Sequence, residues 1–145
     1  MQTPFSFRAS LLRCARLMSD EINTILLPHQ LNYSLWQVLY VIQFKQGCTS
    51  IDIAEYLNVS KPSVAKRIQI LMQLKLLTQL ETEDKRQKKL ILSAHGAQLF
   101  QLCTGKIDQF EQQLLATLDQ KTQVGTLDTL HTLMQHLQTI KIGPL

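Results

Sequence analysis

At 145 residues with 45% hydrophobic content, the chain is long enough to bury a single core and too apolar to be disordered. No stretch approaches the roughly 18 consecutive apolar residues of a membrane span, and the N-terminus lacks the long apolar run of a secretory signal, so a soluble cytoplasmic protein without membrane association is expected. Net charge is +4 but unevenly placed: residues 60–92 hold eight basic and three acidic side chains, a balance of +5, against seven basic and eight acidic elsewhere. A near-neutral body with one basic module is the footprint expected of a nucleic-acid binder. Cys14, Cys48 and Cys103 are odd in number and widely spaced, which argues against a disulfide framework or a zinc ribbon.

Over residues 5–27, apolar side chains recur near helical spacing at Leu11, Leu12, Ala15, Leu17, Met18, Ile22, Ile25 and Leu26, and Pro28 ends the run. A second helix is predicted from about Ser34, taken as its N-cap, to Gly47. It is apolar on so many sides that it should lie inside. Thr49 or Ser50 can cap a short third helix with Ile53, Ala54 and Leu57 on one side, and Asn58 and Val59 make a turn. Ser60 caps a fourth helix that tolerates Pro62 in its first turn, where backbone N–H groups have no intrahelical acceptor. Val64, Ile68, Leu71 and Leu74 face inward there, leaving Lys61, Ser63, Lys66 and Arg67 outward.

Two β-prone runs, LTQLE and KKLILS, flank the charged TEDKRQ and read as a hairpin with a solvated tip. Ser93 caps a fifth helix running to a break near Asp119 and Gln120, and a sixth spans about residues 121–142 before Gly143 and Pro144. The predicted fold class is mainly α with a small β-hairpin: a winged helix-turn-helix DNA-binding region at 34–92 within one chain of 145 residues. A winged helix needs only about 60–70 residues for its own core. The long amphipathic helices at 1–27 and 93–145 therefore read as dimerisation helices of a twofold homodimer, which would set two reading helices about one DNA turn apart on a palindromic operator.

The segment IAEYLNVSKPSVAKRIQILMQL followed by QLETEDKRQKKLILSAHG resembles the MarR family of bacterial winged helix-turn-helix transcriptional regulators, and the layout agrees over nearly the whole chain. The family's wing motif, Asp-x-Arg followed by an apolar strand, a Ser or Thr, and a Gly opening the next helix, stands here as Asp84, Lys85 and Arg86, then LILS, then Gly96. The resemblance implies that Arg86 enters the minor groove while Asp84 holds its guanidinium by a bidentate pair, with Lys85 and Lys88 on phosphates. With Ser50, Ser60, Lys61, Ser63, Lys66 and Arg67, these make up the expected DNA contacts. Two positions depart from the family pattern. Lys75 stands where a Gly usually ends the recognition helix, so a left-handed lysine or a different helix end is expected, and Gln79 replaces a strand Arg.

The resemblance also implies a repressor released by a small aromatic acid, for which Arg13, Arg16, Tyr33, Trp36 and Tyr40 are the candidate binding residues. An oxidant-sensing regulator of the same fold is the alternative. However, the sensing Cys of such relatives aligns nearer Ser10 than Cys14, and Cys14 stands among apolar neighbours. A winged-helix interaction module without DNA binding is a further alternative, though it would have no need of so basic a wing. No cofactor or metal is expected: His131 and His136 are about 140° apart around one helix. No phosphate loop, nucleophile with an adjacent base, or HExxH pattern supports an enzyme.

Overall fold

The computed structural model describes residues 6–84 and 86–142. In order these form α1 (Phe7–Leu26), a 3-10 turn (Leu27–His29), α2 (Tyr33–Phe44), α3 (Ser50–Leu57), α4 (Lys61–Gln73), β1 (Leu77–Glu81), β2 (Lys88–Leu92), α5 (Ala94–Leu115) and α6 (Gln120–Ile142). The chain divides into two compact units, Met1–Ile107 and Asp108–Leu145.

In the first unit α2 is the central element. Val38, Leu39, Val41 and Ile42 are essentially inaccessible, as expected for a helix apolar on most sides. Ile53 of α3, Val64 and Leu71 of α4, and Leu90 of β2 complete the core with them. α2 is capped two residues before the expected Ser34, by Asn32, which accepts the Leu35 N–H at 2.9 Å. The next orphan donor, the Tyr33 N–H, goes to the Asn23 side chain of α1 at 2.7 Å. The local cap at Asn32 is thus reinforced by a contact between residues ten apart, which ties the start of α2 to α1.

α3 opens with a reciprocal capping box, in which the Asp52 N–H donates to the Thr49 hydroxyl and the Thr49 N–H to the Asp52 carboxylate. Asn58 ends it at φ 56°, and Ser60 caps α4, accepting the Ser63 N–H. Of the two endings expected for α4 without its glycine, the left-handed lysine is the one found: Lys75 stands at φ 61°.

β1 and β2 pair antiparallel in the register Leu77 with Leu92, Gln79 with Leu90 and Glu81 with Lys88. A backbone pair between Cys48 and Leu90, with N–O distances of 3.1 and 2.7 Å, stitches the hairpin to the start of the helix-turn-helix. At the other end Ser93 joins three elements. Its hydroxyl donates to the Lys75 carbonyl at 2.8 Å and accepts the Gly96 N–H at 2.9 Å, while its own N–H donates to the Leu76 carbonyl. Gly96 permits this approach, since a Cβ there would collide with the Leu76 backbone.

The second unit holds the end of α5 and α6, joined by a turn at residues 116–119. Asp119 caps α6 by accepting the Thr122 N–H at 2.7 Å, and the Thr122 hydrogen bonds hold its carboxyl below the ordinary value. The Gln123 amide closes the turn by donating to the Leu115 and Leu118 carbonyls. Along α6, Leu127, Leu130, Met134 and Leu137 recur at spacings of three and four, and Leu137 is 60% exposed.

Cys14 has apolar neighbours in sequence but is exposed rather than shielded by them, since the buried residues of α1 are Ile22 and Leu26, nearer its C-terminal end. Cys48 and Cys103 are buried. Burial and the nearby Asp52 carboxylate push the Cys48 thiol up to about 11, and burial also raises Cys103. At pH 8 an aromatic disulfide reagent should label Cys14 first and reach Cys48 and Cys103 only after denaturant is added. Native labelling of Cys48 at the denatured rate would show that its pairing with Leu90 opens readily. Lys75→Gly should raise the unfolding free energy by about 0.5–1 kcal/mol, the relief of a left-handed Cβ less the added freedom of the unfolded chain. A higher urea midpoint at unchanged slope is the expected readout, and an unchanged or lower midpoint would show that the lysine stem contributes more than its strain costs.

Candidate nucleic-acid interface and effector cleft

Helix α4 is amphipathic by construction. Val64, Ile68 and Leu71 are buried and anchor it, each contributing about 1.5–3 kcal/mol. Leu74, expected inward with them, is only half-buried at the helix end. The opposite side presents Ser60, Lys61, Ser63 and Lys66 to solvent, the first three at the helix N-terminus, where unsatisfied N–H groups and the helix dipole favour an anion. Ser50 is likewise exposed, at the start of α3. Arg67 differs from its neighbours: it is half-buried, and its Nη1 donates to the Ser34 carbonyl of α2 at 3.3 Å.

At the wing, Glu81 and Lys88 close the hairpin ladder and the tip is held by its own polar groups. The Thr82 hydroxyl lies 2.7 Å from both the Asp84 and the Gln87 carbonyl oxygens, and the Gln87 N–H donates to the Asp84 carbonyl. The Asp84 carboxylate accepts the Arg86 backbone N–H at 3.0 Å. The expected bidentate grip on the Arg86 guanidinium is therefore replaced by a turn-forming bond, as a short acidic side chain readily makes with the N–H two residues on. Arg86 and Lys88 are exposed. Lys85 lies outside the described residues. Among those described, no cation of α4 or the wing is ion-paired; the one pair found is Arg16 with Asp20 on α1, at 3.3 Å.

A second concave feature lies along α1. Leu12, Ala15, Arg16, Met18, Ser19 and Ile22 face Tyr33 of α2 across an open cleft of about 540 Å³. Two of the five candidate ligand residues, Arg16 and Tyr33, line it. Arg13 does not, being exposed on another part of the helix. Trp36 is core: it is 7% exposed and stacks on Phe100 of α5 with ring centroids 4.5 Å apart. Tyr40 stacks with Phe44, which in turn meets Tyr56 of α3 at 6.2 Å, away from the cleft residues. The sequence reading did not single out Leu12, Ala15, Ser19 and Ile22 as a lining. Their 3-4-3 spacing was the available signal, and Ser19 interrupts it.

Among the described residues there is no cluster of three or more His, Cys, Asp or Glu that would hold a metal, and no helix long and apolar enough to cross a membrane.

Comparison with known proteins agrees with this geometry. The MarR family model matches residues 29–87, the span from the 3-10 turn through the wing tip. An HTH-type transcriptional regulator of Bacillus subtilis, YwoH, is 33% identical over 102 residues, covering 70% of this chain and 74% of that one. Among solved structures, a Staphylococcus aureus MarR in complex with salicylate and kanamycin superposes with a TM-score of 0.84 at 26% identity, covering 92% of this chain and 91% of that one. An S. aureus MepR–DNA complex superposes equally well at 22% identity, covering 92% of this chain and 99% of that one, which speaks to fold. The chain belongs to the MarR family: it is a transcriptional regulator built on a DNA-binding winged helix.

Proposed function

We propose that the protein is a homodimeric repressor that binds a palindromic operator in duplex DNA and releases it when a small aromatic acid occupies the α1 cleft. The observation that carries the DNA half is the disposition of cations. Ser60, Lys61, Ser63 and Lys66 on α4 and Arg86 and Lys88 on the wing all face solvent without a carboxylate partner among the described residues, on two elements tied through Ser93. In this reading α4 enters the major groove, with its N-terminal serines on phosphate. Arg86 reaches the minor groove and Lys85 and Lys88 meet the backbone. Ser50 at the start of α3 supplies a further phosphate donor.

The dimer is supported by apolar surface that a lone chain leaves uncovered. Leu127, Met134, Leu137 and Ile140 of α6 are all exposed, as are Phe7, Leu12 and Leu17 of α1. The effector reading is supported by the chemistry of the cleft: an apolar wall from α1, a phenol from Tyr33 and the Arg16 guanidinium at one side. The S. aureus MarR relative was solved with salicylate, an acid of that class.

Affinity for duplex should fall on the order of a hundredfold between about 50 and 200 mM salt, as about four phosphate contacts would require. Arg86→Ala should weaken binding by about 1–3 kcal/mol with an unchanged melting temperature. Binding indifferent to both changes would remove the wing from the interface. Millimolar salicylate should lower operator affinity about 5- to 150-fold, with a parallel change in Trp36 fluorescence from the helix that carries Tyr33. A flat titration by both readouts would reject the effector.

A further inference from the structure

We infer that Arg67 is a positioning residue for DNA binding rather than a DNA contact: it ties α4 to the first turn of α2, the turn that also walls the α1 cleft. Four observations bear on this. Arg67 is half-buried where Lys61 and Lys66 are exposed, and its Nη1 is already 3.3 Å from the Ser34 carbonyl. Ser34 sits between Tyr33, whose N–H is held by Asn23 of α1, and Leu35, whose N–H is held by Asn32. The acceptor is thus a fixed point of the backbone. Finally, Ile22 and Tyr33 line the cleft, and each directly precedes one end of this chain of bonds, Asn23 and Ser34.

Between its capped ends, the other forces on α4 lack direction. Val64, Ile68 and Leu71 bury it by apolar contact, which resists withdrawal but sets rotation and slide only loosely. A charged guanidinium on a carbonyl is both stronger than a neutral hydrogen bond and directional, so it fixes the helix azimuth that Lys61 and Lys66 present to DNA. An occupant pressing between Ile22 and Tyr33 would displace the first turn of α2 and carry the Ser34 carbonyl with it, and α4 would follow through Arg67. This relay takes only its natural occupant from the effector reading above; the tie itself takes nothing from it.

The test compares Arg67→Met, which keeps the aliphatic stem without charge or donor, with Lys66→Met, on the full chain and across a salt series. Lys66→Met should reduce the slope of log affinity against log salt by about 0.9 per copy of the chain on the DNA, as a lost phosphate contact does. Arg67→Met should instead weaken binding about tenfold at every salt concentration with the wild-type slope. A slope reduced as for Lys66→Met, or undiminished affinity, overturns the assignment.

The relay is tested without a ligand by filling the cleft with Ala15→Trp, or Ser19→Tyr should the first variant melt early. Cleft filling should weaken operator binding in the wild-type background and leave Arg67→Met where it was. An equal fold-loss in both backgrounds, or none in either, overturns the relay. If salicylate leaves wild-type binding unchanged while the cycle is non-additive, the effector reading falls and the relay stands.

Discussion

The contact on which the DNA-binding unit depends is the approach of the first turn of α5 to the backbone of Leu76. It exists because Gly96 has no side chain and because the Ser93 hydroxyl both donates to the Lys75 carbonyl and accepts from the Gly96 N–H. Three junctions are settled at once: the end of α4, the start of β1 and the start of α5. The left-handed turn at Lys75 follows, since the chain must reverse within two residues for Leu76 and Leu77 to enter the core. Without that closure the hairpin would be held to the helices by the Cys48–Leu90 pair and the burial of Leu77 and Leu90. An isolated two-stranded hairpin is marginal in water, so this one takes its order from what it is fastened to.

That fastening explains how an exposed wing can be a defined structure. Its strands bury little beyond Leu77 and Leu90, and its tip is polar. Order at the tip comes instead from Thr82, which bridges to two carbonyls, and from Asp84, which caps the Arg86 N–H. Spending the Asp84 carboxylate on the backbone leaves the Arg86 side chain solvated but sets its Cα direction. Such a side chain gives up less freedom on meeting a nucleic-acid backbone than one on an unstructured loop.

How much of this was legible in the sequence depended on how local its cause was. The caps at Thr49, Ser60 and Ser93 and the periodic buried faces of α2 and α4 are set by residues within four positions of one another and could be read, as could the hairpin from its two β-prone runs; Lys75 could be read only as one of two helix endings. The start of α2 was misplaced because two good cap residues, Asn32 and Ser34, stand two apart, and the bond from Tyr33 to Asn23 on another helix goes with the earlier one. Trp36 and Tyr40 share a helical face in sequence but not in environment, since Phe100, from α5, covers only the first. Arg67 read as one more outward cation because its partner is a backbone carbonyl, which leaves no trace in residue types. The cleft lining was obscured for a similar reason: Ser19 breaks the apolar pattern although it lies on the same stripe.

In the proposed reading, Arg16 of the α1 cleft would serve an incoming acid. Arg16 is not idle, since its Nε lies 3.3 Å from Asp20, but both side chains are more than half exposed. A surface pair of this kind at i and i+4 is worth only a few tenths of a kcal/mol. A carboxylate seated against Leu12, Ala15 and Tyr33 would meet the same guanidinium in a drier setting, where charge pairing is stronger. The guanidinium has five donors, so it need not release Asp20 to accept the newcomer. Selectivity would then rest with the apolar wall and the phenol, which reward a flat ring and leave a small inorganic anion without contacts.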